Sequence, residues 1–166
     1  TAIQLSRLSG AHVVASVRRA DQVSEVHESG ADDVVIGDNI SDFAAYGPYD
    51  LVVESLGGTA LAAALGSLAK DGVCVSLGIS ASDESTFDVR KFFTTGRASL
   101  YGFILFDELH AESASAGLSR LAGLIANGKL IPRISIEASW TQIGVVAGEL
   151  LARSFAGKAV LHVGSK

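Results

Sequence analysis

The chain has 166 residues, 13 basic and 18 acidic side chains for a formal charge of -5, 48% hydrophobic residues, 18 glycines and 2 prolines. That composition belongs to a core-forming domain and excludes a disordered chain. The mild negative charge, with no basic run longer than Arg18-Arg19, argues against nucleic-acid binding, and no apolar run approaches the ~20 residues that span a bilayer.

In chain order, apolar Val/Ile-rich runs alternate with stretches whose apolar residues recur every three or four positions, the pattern of helices covering a mostly parallel sheet. The expected class is α/β. Residues 1–9 carry Ile3, Leu5 and Leu8 and read as a helix stopped by Gly10, and 12–17 as a buried strand. A short helix over 21–29 leads to a strand over 33–36, and 37–47 reads as a short helix with loops. Residues 49–55 form the third predicted strand, Leu56-Gly57-Gly58 its turn, and 59 to about 70 an Ala/Leu helix with Thr59 as N-cap and Gly72 following it. Residues 73–78 read as a strand buried on both faces, 80–86 as a polar loop, and 99–106 as a long apolar strand. A helix over 108–127, an extended segment over 132–136, a helix over 141–154 and a strand over 159–163 complete one domain, with no internal repeat or linker.

Ligands in open parallel sheets bind beyond the carboxyl ends of the strands, where backbone N–H groups and helix N-termini converge. Ser16-Val17-Arg18-Arg19 ends the first strand. It lacks the acidic residue that would accept from a ribose 2'-hydroxyl and offers two guanidinium groups suited to a 2'-phosphate. Leu56-Gly57-Gly58, and Gly78 with Ile79, let the backbone come close to a flat ring or ribose at the ends of consecutive strands. Taken singly these are ordinary turns and solvated arginines; their shared position is what points to a ligand.

No catalytic constellation is visible. His12, His27, His110 and His162 lie apart from one another and from Cys74, the single cysteine, so neither a disulfide nor a metal cluster is expected. Cys74 reads as an inert core residue, and Asp32-Asp33, Asp83-Glu84 and Asp107-Glu108 as solvated loop or cap residues, since neighbours at i and i+1 do not face one another. Hydride transfer from a nicotinamide needs no such constellation, because the cofactor carries the chemistry.

Six segments, in order, resemble the cofactor-binding half of the medium-chain dehydrogenase/reductases, in particular the NADPH-dependent quinone and enone reductase branch. They are Ala2-Ile3-Gln4-Leu5 before Gly10-Ala11, Glu28-Ser29-Gly30-Ala31-Asp32, the run from Tyr49 through Glu54 to Gly58, the run from Asp71 through Cys74 to Gly78, Asn127-Gly128-Lys129-Leu130-Ile131-Pro132, and Gly157-Lys158-Ala159-Val160-Leu161. The resemblance implies a Rossmann-like doubly wound sheet over 1–166, truncated at its N-terminus so that the family's first strand and glycine-rich loop would lie upstream of Thr1. It implies NADP(H) as cofactor, with Ser16, Arg18 and Arg19 on the adenosine ribose and its 2'-phosphate. Leu56 and Gly57 would pack near the cofactor ribose, and Leu77, Gly78 and Ile79, with Phe103, Ile104 and Leu105, near the nicotinamide. Gln22 stands where quinone reductases often place a lysine for the 2'-phosphate.

The implied activity is hydride transfer to a small-molecule quinone, enone or aldehyde, in a soluble cytoplasmic protein. A homodimer through the strand at 99–106 is expected, because an exposed apolar edge strand needs cover. Two alternatives remain at this point: the cofactor domain of a zinc-dependent alcohol dehydrogenase, and a non-catalytic Rossmann module. Without its central strand the sheet is expected either to bring the strands at Val13 and Leu51 together or to take help from a second copy.

Overall fold

The alternation of strand and helix read from the sequence is present in the computed structural model, which describes residues 1–37 and 40–164. Helix α1 (Ala2–Leu8) runs into β1 (Val14–Val17), a 3-10 turn (Ala20–Gln22) and α2 (Val23–Glu28), then β2 (Asp33–Ile36). The end of α2 shows why the chain stops there: the Gly30 amide bonds to the His27 carbonyl and the Ala31 amide to the Val26 carbonyl. Gly30 accordingly sits at φ +100, as a left-handed helix terminus requires. The predicted helix and loops over 37–47 contain α3 (Ile40–Ala44); Asp38 and Asn39 lie outside the described residues.

Strand β3 (Tyr49–Glu54) is followed by α4 (Gly58–Gly66), β4 (Leu68–Ser76), α5 (Val89–Thr95) and β5 (Ser99–Gly102). Three sequence readings change here. The α4 helix begins earlier than expected, with Gly57 rather than Thr59 at its N-cap, and stops at Gly66 although Leu68, Ala69 and Lys70 are good helix formers. Tertiary pairing decides that point: Leu68 is buried beside Tyr49 of β3. The strand then shifts register around Asp71, which takes φ +65 and donates its amide to the Gly96 carbonyl. The predicted strand at 99–106 is ordered as strand only over Ser99–Gly102, because Ile104 becomes the N-cap of α6 (Leu105–Glu108). An unbroken apolar run carries no period that separates the two states.

Two parallel sheets form among the described residues of the unit Ala2–Ala122: β1 pairs with β2, and β4 lies between β3 and β5. Val13 and Leu51 are therefore not brought together. Val14 to Val17 pair with Asp33 to Ile36, and Leu51 pairs with Val73, each pairing occupying one of the two edges of its strand. Among the described residues no ladder joins β1 to β3. The Tyr49 phenol is pushed up to about 12, by burial first, with the charges of Tyr46 and Asp33 adding to it.

The core lies under one face of the three-stranded ladder, where Val52 and Cys74 meet Ala64, Leu65 and Leu68, with Phe43, Tyr49, Phe87 and Phe92 packed around them. Phe43 stacks on Tyr49 with ring centroids 4.4 Å apart. Asp88 caps α5 by accepting from the Lys91 amide at 3.0 Å. The opposite face is more open: Leu51 and Val53 are 55% and 53% exposed, and Val73 and Val75 are only half-buried. The expectation that this strand is buried on both faces does not hold, because α4 and α5 cover the Cys74 side alone.

The second unit, Gly123–Lys166 with Thr1, begins in the last turn of α7 (Ala114–Ala126) and contains the parallel pair β6 (Ile134–Ser139) and β7 (Lys158–His162). A 3-10 turn (Trp140–Gln142) and α8 (Ile143–Leu151) connect them. The sequence suggests a helix to 154, but the Arg153 and Ser154 amides fold back onto the Leu150 and Glu149 carbonyls, with Arg153 at φ +56. That is the hydrogen-bond pattern of a glycine-terminated helix with an arginine in the glycine's place, so composition gave no sign of it.

Candidate functional site

Parallel pairing puts the carboxyl ends of β3, β4 and β5 on one rim, and the turns that leave them touch. The Leu77 amide donates to the Glu54 carbonyl at 2.9 Å and the Phe103 amide to the Ser76 carbonyl at 2.8 Å, extending the ladder beyond its strands. The Ser80 amide and hydroxyl both donate to the Ser55 carbonyl, at 3.2 and 3.0 Å. The Ala81 and Ser82 amides donate to the Leu56 carbonyl, at 2.8 and 3.1 Å. The turn after β3 and the loop after β4 thus form one hydrogen-bonded floor.

This floor explains its glycines. Gly57 has φ +74, and a Cβ there would run into the Ser82 carbonyl; one on Gly78 would come within 2.8 Å of the Ser55 carbonyl oxygen. The close approach expected at these positions is thus made, in this structure, by one turn against the other. Leu77 and Ile79 stand 45% and 65% exposed on the floor. Leu56 and Phe103 are half-buried, and Ile104 and Leu105 are exposed at the start of α6. The Tyr101 hydroxyl donates to the Glu108 carboxylate, which ties β5 to the far end of α6 and raises the phenol's pKa. A cavity of about 370 Å³ opens beside the floor, lined by Gly58, Thr59, Ala81, Ser82, Glu84 and Thr86.

At the end of β1, Ser16 and Arg18 are exposed, and Arg18 has no hydrogen bond or ion pair among the described residues. Arg19 differs. Its Nε donates to both carboxylate oxygens of Asp21, at 3.0 and 3.3 Å, and its backbone amide to Gln22 Oε1 at 3.2 Å. That hydrogen bond is also what lowers the Asp21 pKa and raises that of Arg19. The structure brings Leu56, Gly57, Leu77, Gly78 and Ile79 together. Among the described residues it draws no hydrogen bond or ion pair from Ser16, Arg18 or Arg19 to that floor.

Sequence reading missed Glu54. It is the last residue of β3, on the same face as Val52 and only 5% exposed. Its Oε1 accepts from the Leu56 amide at 2.6 Å, and both oxygens accept from the Gly57 amide, at 3.1 and 3.2 Å. The available signal was an acidic residue in the buried register of a strand that runs into Gly-Gly. Cys74 beside it is buried, with its thiol pushed up to about 11 by burial first and the Glu54 charge second, which suits an inert core thiol.

Three of the four histidines bond within the fold. His12 Nε2 lies 2.7 Å from Asp33 Oδ2, and Asp32 accepts from the Val13 amide and Arg7, all at the amino ends of β1 and β2. His27 bonds the Ala31 carbonyl, and His162 bonds Glu137 across β6 and β7. The partners of His12 and His162 lie 21 and 25 residues away, beyond any local spacing. Among the described residues no group of three or more His, Cys, Asp or Glu side chains is arranged to hold a metal ion.

Parallel strands alternating with helices, with glycine turns at their carboxyl ends, define the Rossmann-like nucleotide-binding class. The zinc-binding dehydrogenase family profile matches residues 1–122, and the chain belongs to that family, within the medium-chain dehydrogenase/reductases. No curated protein sequence matches the chain. Among solved structures, a mycobacterial quinone oxidoreductase superposes with a TM-score of 0.87 at 22% identity, over 97% of this chain and 52% of its own. A mycobacterial protein complexed with NADPH gives 0.79 at 21%, over 97% and 53%. An NAD-dependent alcohol dehydrogenase gives 0.74 at 21%, over 98% and 47%. The chain thus spans about half the length of these structures, and at such identities the likeness speaks for the fold alone. No helix among the described residues is long and apolar enough to cross a membrane.

Proposed function

We propose that residues 1–166 are the nucleotide-binding domain of a cytoplasmic, NADP(H)-dependent oxidoreductase that reduces a small quinone, enone or aldehyde. Bound NADPH would supply hydride; this chain supplies the surface that holds it. Ser16, Arg18 and Arg19 receive the adenosine ribose and its 2'-phosphate, Leu56 and Gly57 pack against the ribose nearer the nicotinamide, and Leu77, Gly78, Ile79, Phe103, Ile104 and Leu105 surround the nicotinamide. The protein pairs with a second copy along the free edge of β5, whose residues Ser99–Gly102 are all exposed.

The observation that carries this reading is Arg18, an exposed guanidinium with no counter-charge among the described residues, at the carboxyl end of a parallel strand that does not itself end in an acidic residue. A 2'-phosphate is the part of NADPH that such a group recognises, and a ribose hydroxyl gives it little to bind. Replacing Arg18 and Arg19 together by alanine in the full-length protein is expected to weaken NADPH by on the order of a hundredfold and NADH by less than about threefold. Nicotinamide fluorescence titration reads both, and equal losses for the two cofactors would remove the assignment.

A further inference from the structure

Glu54 raises a question that fold stability alone does not answer. An ionised carboxylate is costly to bury and is tolerated where amides or cations meet it. Here the partners are two consecutive amides, those of Leu56 and Gly57, and nothing else in the apolar layer of Val52 and Cys74 calls for a charge. The same turn has its Ser55 and Leu56 carbonyls committed to the amides of Ser80, Ala81 and Ser82, and its Gly57 carbonyl to the Leu61 amide. With Glu54 on one side and the 80–82 loop on the other, the backbone of 55–57 has little freedom left. The Leu56 and Gly57 amides are also taken by Glu54, so at these two residues a cofactor meets shape and apolar side chains.

We propose that Glu54 is a positioning residue for the nicotinamide end of the cofactor: its carboxylate sets the Leu56-Gly57 turn, and through that turn the Ile79 loop, at the height the ring and its ribose require. This rests on the cofactor reading above and adds to it the residue that fixes the floor. Glu54 touches no part of the ligand itself. Glu54→Gln keeps the side chain's size and one oxygen that can stand where Oε1 accepts from both amides, but it removes the charge and puts an NH2 where Oε2 accepts from the Gly57 amide.

The test compares two ligands on the full-length protein. NADPH reports on the whole site, whereas adenosine 2',5'-bisphosphate carries the adenosine ribose and its 2'-phosphate but no nicotinamide. For Glu54→Gln the NADPH dissociation constant is expected to rise about tenfold. The bisphosphate constant should stay within about twofold, and amide exchange at 56 and 57 should quicken. Unchanged NADPH binding overturns the proposal, and so does a parallel loss of both ligands with a fall in Tm, since a merely structural carboxylate would give that result. If Glu54→Gln does not fold, Glu54→Asp, which keeps an acceptor within reach of the two amides but is one methylene shorter and so draws the turn toward β3, is read with the same pair of ligands and the same criteria. A wild-type protein that binds neither ligand brings down the cofactor reading and this role with it; one that binds both, with the variant indistinguishable from it, brings down this role alone.

Discussion

The ends of β1 and β3 solve the same problem, how a strand leaves its sheet toward solvent, with opposite chemistry. At β1 the chain ends in two arginines, one without an ion pair among the described residues and the other tied to Asp21 by an ion pair whose side chains are 61% and 66% exposed. At β3 it ends in one carboxylate that is 5% exposed and bonded only to backbone. Water screens the first arrangement, which holds little structure in place and can exchange its partner for a ligand phosphate. The second is sheltered and bonded to two consecutive amides, so it holds the backbone of that turn in place. Selection of a charged group is thus suited to the β1 end, and alignment of a ring to the β3 and β4 ends.

Substitutions can break this contrast from its strong side. Leu65 is 1% exposed in the layer under β3 and β4, and Leu65→Ala is expected to cost about 2–5 kcal/mol in denaturant unfolding. A loss below about 1 kcal/mol would mean that the β3–β4 side is no better packed than the β1 side. Gly57→Ala comes next, at about 1–3 kcal/mol from its positive φ and the collision with the Ser82 carbonyl. Gly123→Ala on α7, where a Cβ meets nothing within 4 Å, serves as its control and should be neutral or stabilising by about 0.5–1 kcal/mol. If thermal melts rank the two alike, the floor is not locked.

Asp21→Asn sharpens the other side. Freed from its carboxylate, Arg19 should bind the 2'-phosphate about two- to threefold better, with NADH unchanged and the gain fading as salt is raised. A gain that persists at high salt would show that Asp21 acts otherwise than by charge. The smallest expected effect is at the amino end of the same ladder. Asp32 is held below its usual 3.8, by the Val13 amide first and then by the charges of Arg7 and His12, with burial opposing. A lowered carboxylate pKa contributes stability that is full above 3.8 and drains as pH falls through the lowered value. Acid titration of Tm should show this loss in the wild type, and Asp32→Asn should remove that part of the slope.

How far the residues alone announce all this depends on the range of the contact. The helix stops at Gly10, Gly30 and Gly128 were legible because the same few residues that break the helix also bond back onto it. Arg18 and the glycines after β3 and β4 were legible as strand-end residues for the same local reason. The limits of α4 and β5 were misjudged where pairing with another strand, or an unpatterned apolar run, outweighed propensity. Helix α5 went unread although Asp88 caps it three residues before Lys91. The tie between Arg19 and Asp21 lies only two residues away, yet nothing in the composition distinguishes a paired arginine from a free one.

From the order of its strands, helices and glycine turns, the sequence by itself determined a parallel α/β nucleotide-binding fold and the strand ends at which its glycine turns fall, because periodicity and turn chemistry act over a handful of residues. Only the tertiary structure decided that the turns after β3 and β4 are one floor, since Ser55 and Ser80 stand 25 residues apart. It also decided that β1 and β3 each keep their own ladder, and that a buried carboxylate rather than a phosphate fills the amides of Leu56 and Gly57. Those outcomes depend on which backbone groups are left without partners once the chain has packed, and no local pattern of side chains records that.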